Sequence, residues 1–148
     1  IIVMVILSVI VSNVICMVFI LESSKKQITN SVKHTMVDVA NTTSKIMENE
    51  ISNSGVDDLD YDGYASNLSD VKLEGMDSAY MYVVQKDGTM LYHPTKEKVG
   101  QPVENAAIKG VVQQLQDGKK PGTTVVEYVF NGTTKYSAYT ILNNEKHF

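Results

Sequence analysis

The fold is decided by residues 80–94, which read YMYVVQKDGTMLYHP. Apolar and polar side chains alternate on both sides of Asp87-Gly88, and such a pair between two alternating runs is a strong hairpin signal. We therefore predict strands over residues 79–85 and 89–93. With Asp87 and Gly88 as the two loop residues, alternation assigns one face to a common set of side chains: Tyr80, Tyr82, Val84, Leu91 and His93.

A second hairpin is predicted around Asn131-Gly132, with strands over residues 123–130 and 134–142. Counting outward from that pair places Tyr128 opposite Lys135 and Thr124 opposite Tyr139. Alternation then gives one face of this hairpin a second set of side chains: Val126, Tyr128, Phe130, Lys135, Ser137 and Tyr139. If the two faces coincide, a pocket with an apolar floor forms, and its composition suits a small polar or anionic ligand. Its predicted ligand-binding residues are Tyr82, His93, Tyr128, Lys135 and Tyr139.

Three helices complete the predicted domain. Apolar residues recur at spacings of three and four over residues 24–54, and Gly55 is a suitable stop. Shorter helices are predicted over residues 61–71 and 103–116. A long helix, two hairpins and a closing strand that begins at Lys146 and is truncated at Phe148 form an α+β domain on one antiparallel sheet.

The first 21 residues contain no charge and only three polar residues, Ser8, Ser12 and Asn13. At 1.5 Å per residue, a helix of this length extends about 31 Å, roughly the thickness of a hydrocarbon core. We therefore predict an N-terminal transmembrane helix over residues 1–21 that continues into the long amphipathic helix. Residues 22–148 are then a sensor domain outside the cytoplasm, and the chain is a fragment of a cell-membrane protein.

Composition excludes several classes of function. The net charge is −4, and the chain contains no Arg, which disfavours nucleic acid as a partner. One Cys cannot build a disulfide framework or a multi-cysteine metal site. No phosphate-binding loop, dinucleotide fingerprint or catalytic motif occurs, so we predict neither enzyme activity nor a cofactor.

A calcium site is the one metal site that the sequence suggests. Asp58, Asp60 and Asp62 precede Gly63 in the spacing that opens a calcium-binding loop. Ser69 stands where the bidentate Glu is required, and carboxylates also favour a helix N-terminus. We interpret the cluster as a helix start and predict no metal.

Residues 80–94, followed by residues 98–103, resemble the Cache sensor domain in their pattern of strand, Asp-Gly, strand and His-Pro. Residues 131–140 resemble the later hairpin of that family. The resemblance implies a PAS-like sheet with a helix along one face and a ligand pocket on the other. It implies amino acids, carboxylates or amines as ligands. By position His93 matches the His-Pro element of the family and Tyr139 matches the Tyr late in its second hairpin, whereas Tyr128 and Lys135 are carried over only loosely.

With the apolar N-terminus, the chain resembles the N-terminal half of a methyl-accepting chemotaxis protein, a homodimeric receptor for signal transduction. The same sensor domain could instead serve a histidine kinase or a nucleotide cyclase. A pilin subunit also has an apolar N-terminal helix. Mature pilins usually begin with an aromatic residue and carry Glu at the fifth position, where this chain has Ile1 and Val5.

Overall fold

The computed structural model describes residues 2–55 and 59–142, with side chains from Ser12 onward in those ranges. The chain divides into two compact units, residues 1–34 and 35–148. The helices are α1 (Ile2–Ser54), α2 (Tyr61–Leu68) and α3 (Ala106–Gln116), with a 3₁₀ turn at Lys96–Lys98. The strands are β1 (Val83–Val84), β2 (Met90–Tyr92), β3 (Thr124–Phe130) and β4 (Thr133–Tyr139).

The prediction of a transmembrane helix over residues 1–21 is wrong. Within the part of the chain that the structure describes, no helix is long and apolar enough to cross a membrane. The predicted location as a single-span cell-membrane protein is corrected for the same reason.

The helix ends follow the local signals in the sequence. Gly55, which follows α1, has a φ of +65°, as expected for a glycine that stops a helix. α2 begins after Asp60, whose Oδ1 accepts a hydrogen bond of 2.9 Å from Gly63 N. α3 begins after Asn105, whose Oδ1 accepts from Ala107 N at 3.0 Å. The predicted helices over residues 61–71 and 103–116 are thus confirmed, with shorter bounds.

The register of the β3–β4 hairpin is confirmed. Thr124 pairs with Tyr139, Val126 with Ser137, and Tyr128 with Lys135. Asn131 and Gly132 have φ values of +50° and +74°. Two consecutive left-handed residues form the turn whose twist matches that of the flanking strands. This turn therefore fixes which side chains share a face.

The register of the β1–β2 hairpin differs from the prediction by one residue at Val84. Val84 pairs with Met90 instead of Leu91, whereas Val83 pairs with Tyr92 as predicted, across a bulge. The loop has three residues instead of two, because Gln85 N donates to Thr89 O at 2.8 Å and Gly88 N donates to Gln85 O at 2.8 Å. Thr89 N also donates to Asp87 Oδ1 at 2.8 Å, which stabilises the longer loop.

The predicted single PAS-like sheet is also wrong. In the described residues the two hairpins form two separate two-stranded sheets. The loop after β2 takes the place of a neighbouring strand, since Met90 N donates to Gln101 O at 2.9 Å and Gly100 N donates to Met90 O at 2.8 Å. The closing strand predicted at Lys146–Phe148 lies outside the described residues.

The short hairpin divides the apolar side chains between two cores. We call one the α3 core; its buried members are Val84, Met90, Val103, Ile108, Val111, Val112 and Tyr139. We call the other the α2 core; its buried members are Met47, Tyr64, Leu68, Val83, Tyr92 and Leu142. Neighbouring residues of β1 thus enter different cores, as the alternation of a strand requires.

The C-terminal part of α1 is joined to the β3–β4 hairpin by a polar contact. Asn41 Oδ1 accepts hydrogen bonds from Thr123 Oγ1 at 3.1 Å and from Thr140 Oγ1 at 3.4 Å. The two threonine hydroxyls are themselves 2.9 Å apart. Thr123 precedes β3 and Thr140 follows β4, so both lie at the end of the hairpin opposite its turn. One amide of α1 therefore contacts the start of one strand and the end of the other.

The positions of the two cores predict that two helical isoleucines contribute very differently to the free energy of unfolding. Ile108 is 2% exposed in the α3 core, whereas Ile46 of α1 is 52% exposed. Ile108→Ala should lower the free energy of unfolding by about 2–5 kcal/mol, because it removes buried methyl groups and leaves a cavity. The matched control Ile46→Ala should change it by less than about 0.5 kcal/mol. Urea denaturation measures both values, and equal effects would contradict the assignment of the core.

Candidate functional site

Three aromatic rings from the first hairpin region pack together. The ring centroids of Tyr80 and His93 are 5.1 Å apart and nearly edge-on, and those of Tyr80 and Tyr82 are 6.1 Å apart. The centroids of Tyr82 and His93 are 6.2 Å apart. His93 is buried, whereas Tyr80 is 54% exposed and lies at the solvent side. We call these three residues the ring cluster.

Polar side chains from two other segments meet at the Tyr82 hydroxyl. Ser137 Oγ of β4 lies 3.4 Å from Tyr82 Oη, and Asn105 Nδ2, at the start of α3, donates to the same oxygen at 3.4 Å. Ser137 is buried. Burial raises the pKa of Tyr82 to about 12, so the hydroxyl stays protonated at neutral pH. The site therefore joins both hairpins and α3 at one neutral hydroxyl.

His93 is held in a single neutral form. Its Nδ1 accepts a hydrogen bond of 2.9 Å from Thr95 N, which leaves the proton of the neutral ring on Nε2. Burial lowers the pKa of His93, and the charge of Lys98 lowers it further. The charge of Glu104 acts in the opposite direction, and Lys98 Nζ forms an ion pair of 2.7 Å with Glu104 Oε2.

The five predicted ligand-binding residues do not all lie in the same environment. Tyr82 and His93 are brought together in the ring cluster. Tyr128 is half-buried, and burial raises its pKa, with the charge of Tyr80 acting in the same direction. Tyr139 is a buried member of the α3 core.

Lys135 lies at the solvent end of the same face. It pairs with Tyr128 across the hairpin, and its side chain is exposed. In the described residues no interaction connects Lys135 with the ring cluster. Along β4 the positions of this face run from buried Tyr139 and Ser137 to exposed Lys135, so the face opens toward the turn.

Sequence reasoning missed Asn105 as a residue of the site. Its signal is local: an Asn directly before Ala-Ala-Ile is a typical helix cap. The predicted helix began at Val103, which placed Asn105 inside it. The cap uses Oδ1 and leaves Nδ2 for Tyr82, and this second contact joins residues 23 positions apart.

A crevice of about 300 Å³ is lined by residues other than those of the ring cluster. Its walls include Met90, Val103 and the ion pair of Lys98 with Glu104, whose charges act on His93. The predicted pocket residues do not line it. The ring cluster is thus a packed, partly exposed group of side chains that does not line this crevice.

The aspartates of the candidate calcium loop have a structural explanation. Asp60 caps α2, and Asp62 lies in its first turn. Asp58 lies outside the described residues. Among the side chains that the structure describes, no group of three or more His, Cys, Asp or Glu residues could hold a metal ion.

The chain was compared with protein-family models, with curated proteins and with solved structures, and none of them matches. The resemblance to the Cache sensor domain therefore stays a prediction.

The site predicts a specific dependence of stability on pH. Because the pKa of His93 lies below its usual range in the folded chain, the unfolded chain takes up a proton first as the pH falls. The contribution of His93 to stability is complete above about pH 6.5 and is lost as the pH falls from there toward the folded pKa. His93→Gln should remove this component.

Urea denaturation between pH 7.5 and pH 5 measures this pH-dependent contribution of His93 to stability. The matched control is His34→Gln, since His34 is exposed. The difference in unfolding free energy between the original chain and His93→Gln should shift in favour of the variant at acid pH. A difference that stays constant across this range, or one that His34→Gln reproduces, would contradict the assignment.

Proposed function

We propose that the chain is a small-molecule-sensing module of the Cache type, and that its ligand binds at the ring cluster. The observation that carries the proposal is the convergence of side chains from both hairpins and from α3 on the Tyr82 hydroxyl. A ligand that contacts these groups would alter the packing between segments that no common sheet holds together. The resemblance of residues 80–94 supports a sensory role.

The contacts of Ser137 offer a route from the site to α1. Ser137 contacts Tyr82, and three residues further along the chain Thr140 donates to Asn41 of α1. A shift of β4 on ligand binding would therefore change the only side-chain hydrogen bonds of Asn41 in the described residues. A ligand moves such an equilibrium only through its different affinity for the two arrangements.

The output of this sensor is a signalling domain outside these residues. Among the outputs that the resemblance implies, we propose chemotaxis. α1 is the element through which the change would pass, because it carries Asn41 and is the longest helix, Ile2–Ser54.

The proposal predicts that some small metabolites raise the melting temperature of the chain, since a ligand of the folded state stabilises it by mass action. Tyr82→Phe should weaken binding of each such compound about tenfold, because it removes a hydroxyl that a bound ligand would use. Tyr61→Phe is the matched control, since Tyr61 packs on Tyr92 beside the α2 core.

Thermal-shift screening against a metabolite library, followed by calorimetric titration of both variants, makes the measurement. No shift with any compound would contradict the sensor function. Equal loss of affinity in Tyr82→Phe and Tyr61→Phe would place the binding site elsewhere.

A further inference from the structure

The ring cluster contains a buried hydrogen-bond donor that the described protein does not satisfy. His93 is 6% exposed, and Thr95 N occupies its Nδ1. Within the described residues, His93 forms no hydrogen bond through Nε2–H. A buried N–H without a partner costs about 1–3 kcal/mol, and such groups are rare. The edge-on contact with the Tyr80 ring is at most a weak substitute.

The polar groups at the neighbouring Tyr82 hydroxyl form only long hydrogen bonds. Both hydrogen bonds of the Tyr82 hydroxyl, to Ser137 and to Asn105, are 3.4 Å long. This distance is beyond the usual range for strong hydrogen bonds. The groups can therefore turn toward a ligand at little energetic cost. Like the neutral imidazole of His93, whose ring centroid lies 6.2 Å from that of Tyr82, these groups carry no charge.

The electrostatics of the site disfavour an anion. His93 is neutral, and the nearest cation that acts on it, Lys98, is paired with Glu104 at 2.7 Å. The chain contains no Arg. Burying a carboxylate without a paired cation is costly, whereas a neutral carbonyl needs only a donor. A buried ammonium ion would face the Nε2–H donor, which repels it.

The shape of the cluster suits a flat molecule. Tyr80 and Tyr82 present aromatic rings next to His93, and half-exposed Tyr80 borders the solvent. Aromatic rings pack favourably in offset or edge-to-face arrangements. A planar ligand that enters beside half-exposed Tyr80 would pack against these rings, and its polar end would meet His93.

We propose that this site binds an uncharged planar compound whose carbonyl oxygen accepts a hydrogen bond from His93 Nε2–H. The inference rests on the proposed sensor function and narrows its ligand class from carboxylates and amino acids to neutral amides and related ring carbonyls. Ser137 and Asn105 lie at the hydroxyl of Tyr82, whose ring packs beside that of His93.

Matched pairs of probes test the charge requirement directly. Benzamide and benzoate share a ring and a carbonyl but differ in charge, and nicotinamide and nicotinate form a second pair. Binding to the chain at pH 7.5 is measured by calorimetric titration, beside the metabolite library. We expect each amide to bind at least about tenfold more tightly than its acid, a difference of about 1.4 kcal/mol.

Two further measurements test whether His93 Nε2–H is the donor to the bound amide. His93→Phe keeps a ring of similar size but removes Nε2–H, so amide binding should fall about tenfold, whereas His34→Phe should leave it unchanged. Since His93→Phe also deprives Thr95 N of its acceptor, the ¹⁵N-histidine spectrum of the original chain provides an independent reading. The Nε2–H proton signal of His93 should move downfield when benzamide is added.

The outcomes separate this inference from the proposed function. Acids that bind as tightly as their amides, or amide binding with no change in the His93 signal, would overturn the inference while the sensor function stands. If neither the amides nor any library compound binds, both fail. Tight amide binding that depends on His93 supports both.

Discussion

The alternation of side chains along the β1–β2 hairpin is the constraint on which the rest of unit 35–148 depends. Val84 enters the α3 core and Val83 enters the α2 core, so this short strand separates two groups of helices and loops. The bulge in its register brings Met90 to the side of Val84 and leaves Tyr92 with Val83. A slip by one residue would exchange these side chains between the cores.

The same alternation creates the candidate site. Tyr82 lies two residues before Val84 and packs against the α3 core, where its hydroxyl meets Ser137 and Asn105. His93 follows Tyr92, the last residue of β2, and its ring lies beside those of Tyr80 and Tyr82. The ring cluster thus lies at the margin of an apolar core, where a polar group keeps its donors but loses access to water.

The absence of Arg bears on the charge of the ligand that the site can bind. From the sequence alone, Lys135, His93 and the tyrosine hydroxyls were the candidates to hold an anion. In the structure Lys135 is exposed at the solvent end of its face, and burial keeps His93 neutral. The groups that converge are hydroxyl, amide and imidazole donors without net charge, and this composition favours an uncharged ligand.

Turn chemistry explains which parts of the fold could be predicted. Asn131-Gly132 specifies a two-residue turn, so the pairing of Tyr128 with Lys135 followed from sequence counting. Asp87-Gly88 was ambiguous, because the Asp87 side chain stabilises a three-residue loop that changes the partner of Val84. Asn105 was missed because its contact with Tyr82 is tertiary. The membrane span was predicted from hydropathy over 21 residues, but no helix within the described residues is long and apolar enough to cross a membrane.

The most direct test of the central claim is a map of chemical-shift changes in the ¹⁵N-labelled chain when the first stabilising compound is added. The account predicts that the largest changes occur at Tyr82, His93, Asn105 and Ser137, with a smaller change at the side-chain amide of Asn41. Changes centred on the α2 core, with the signals of Tyr82 and His93 unmoved, would contradict it.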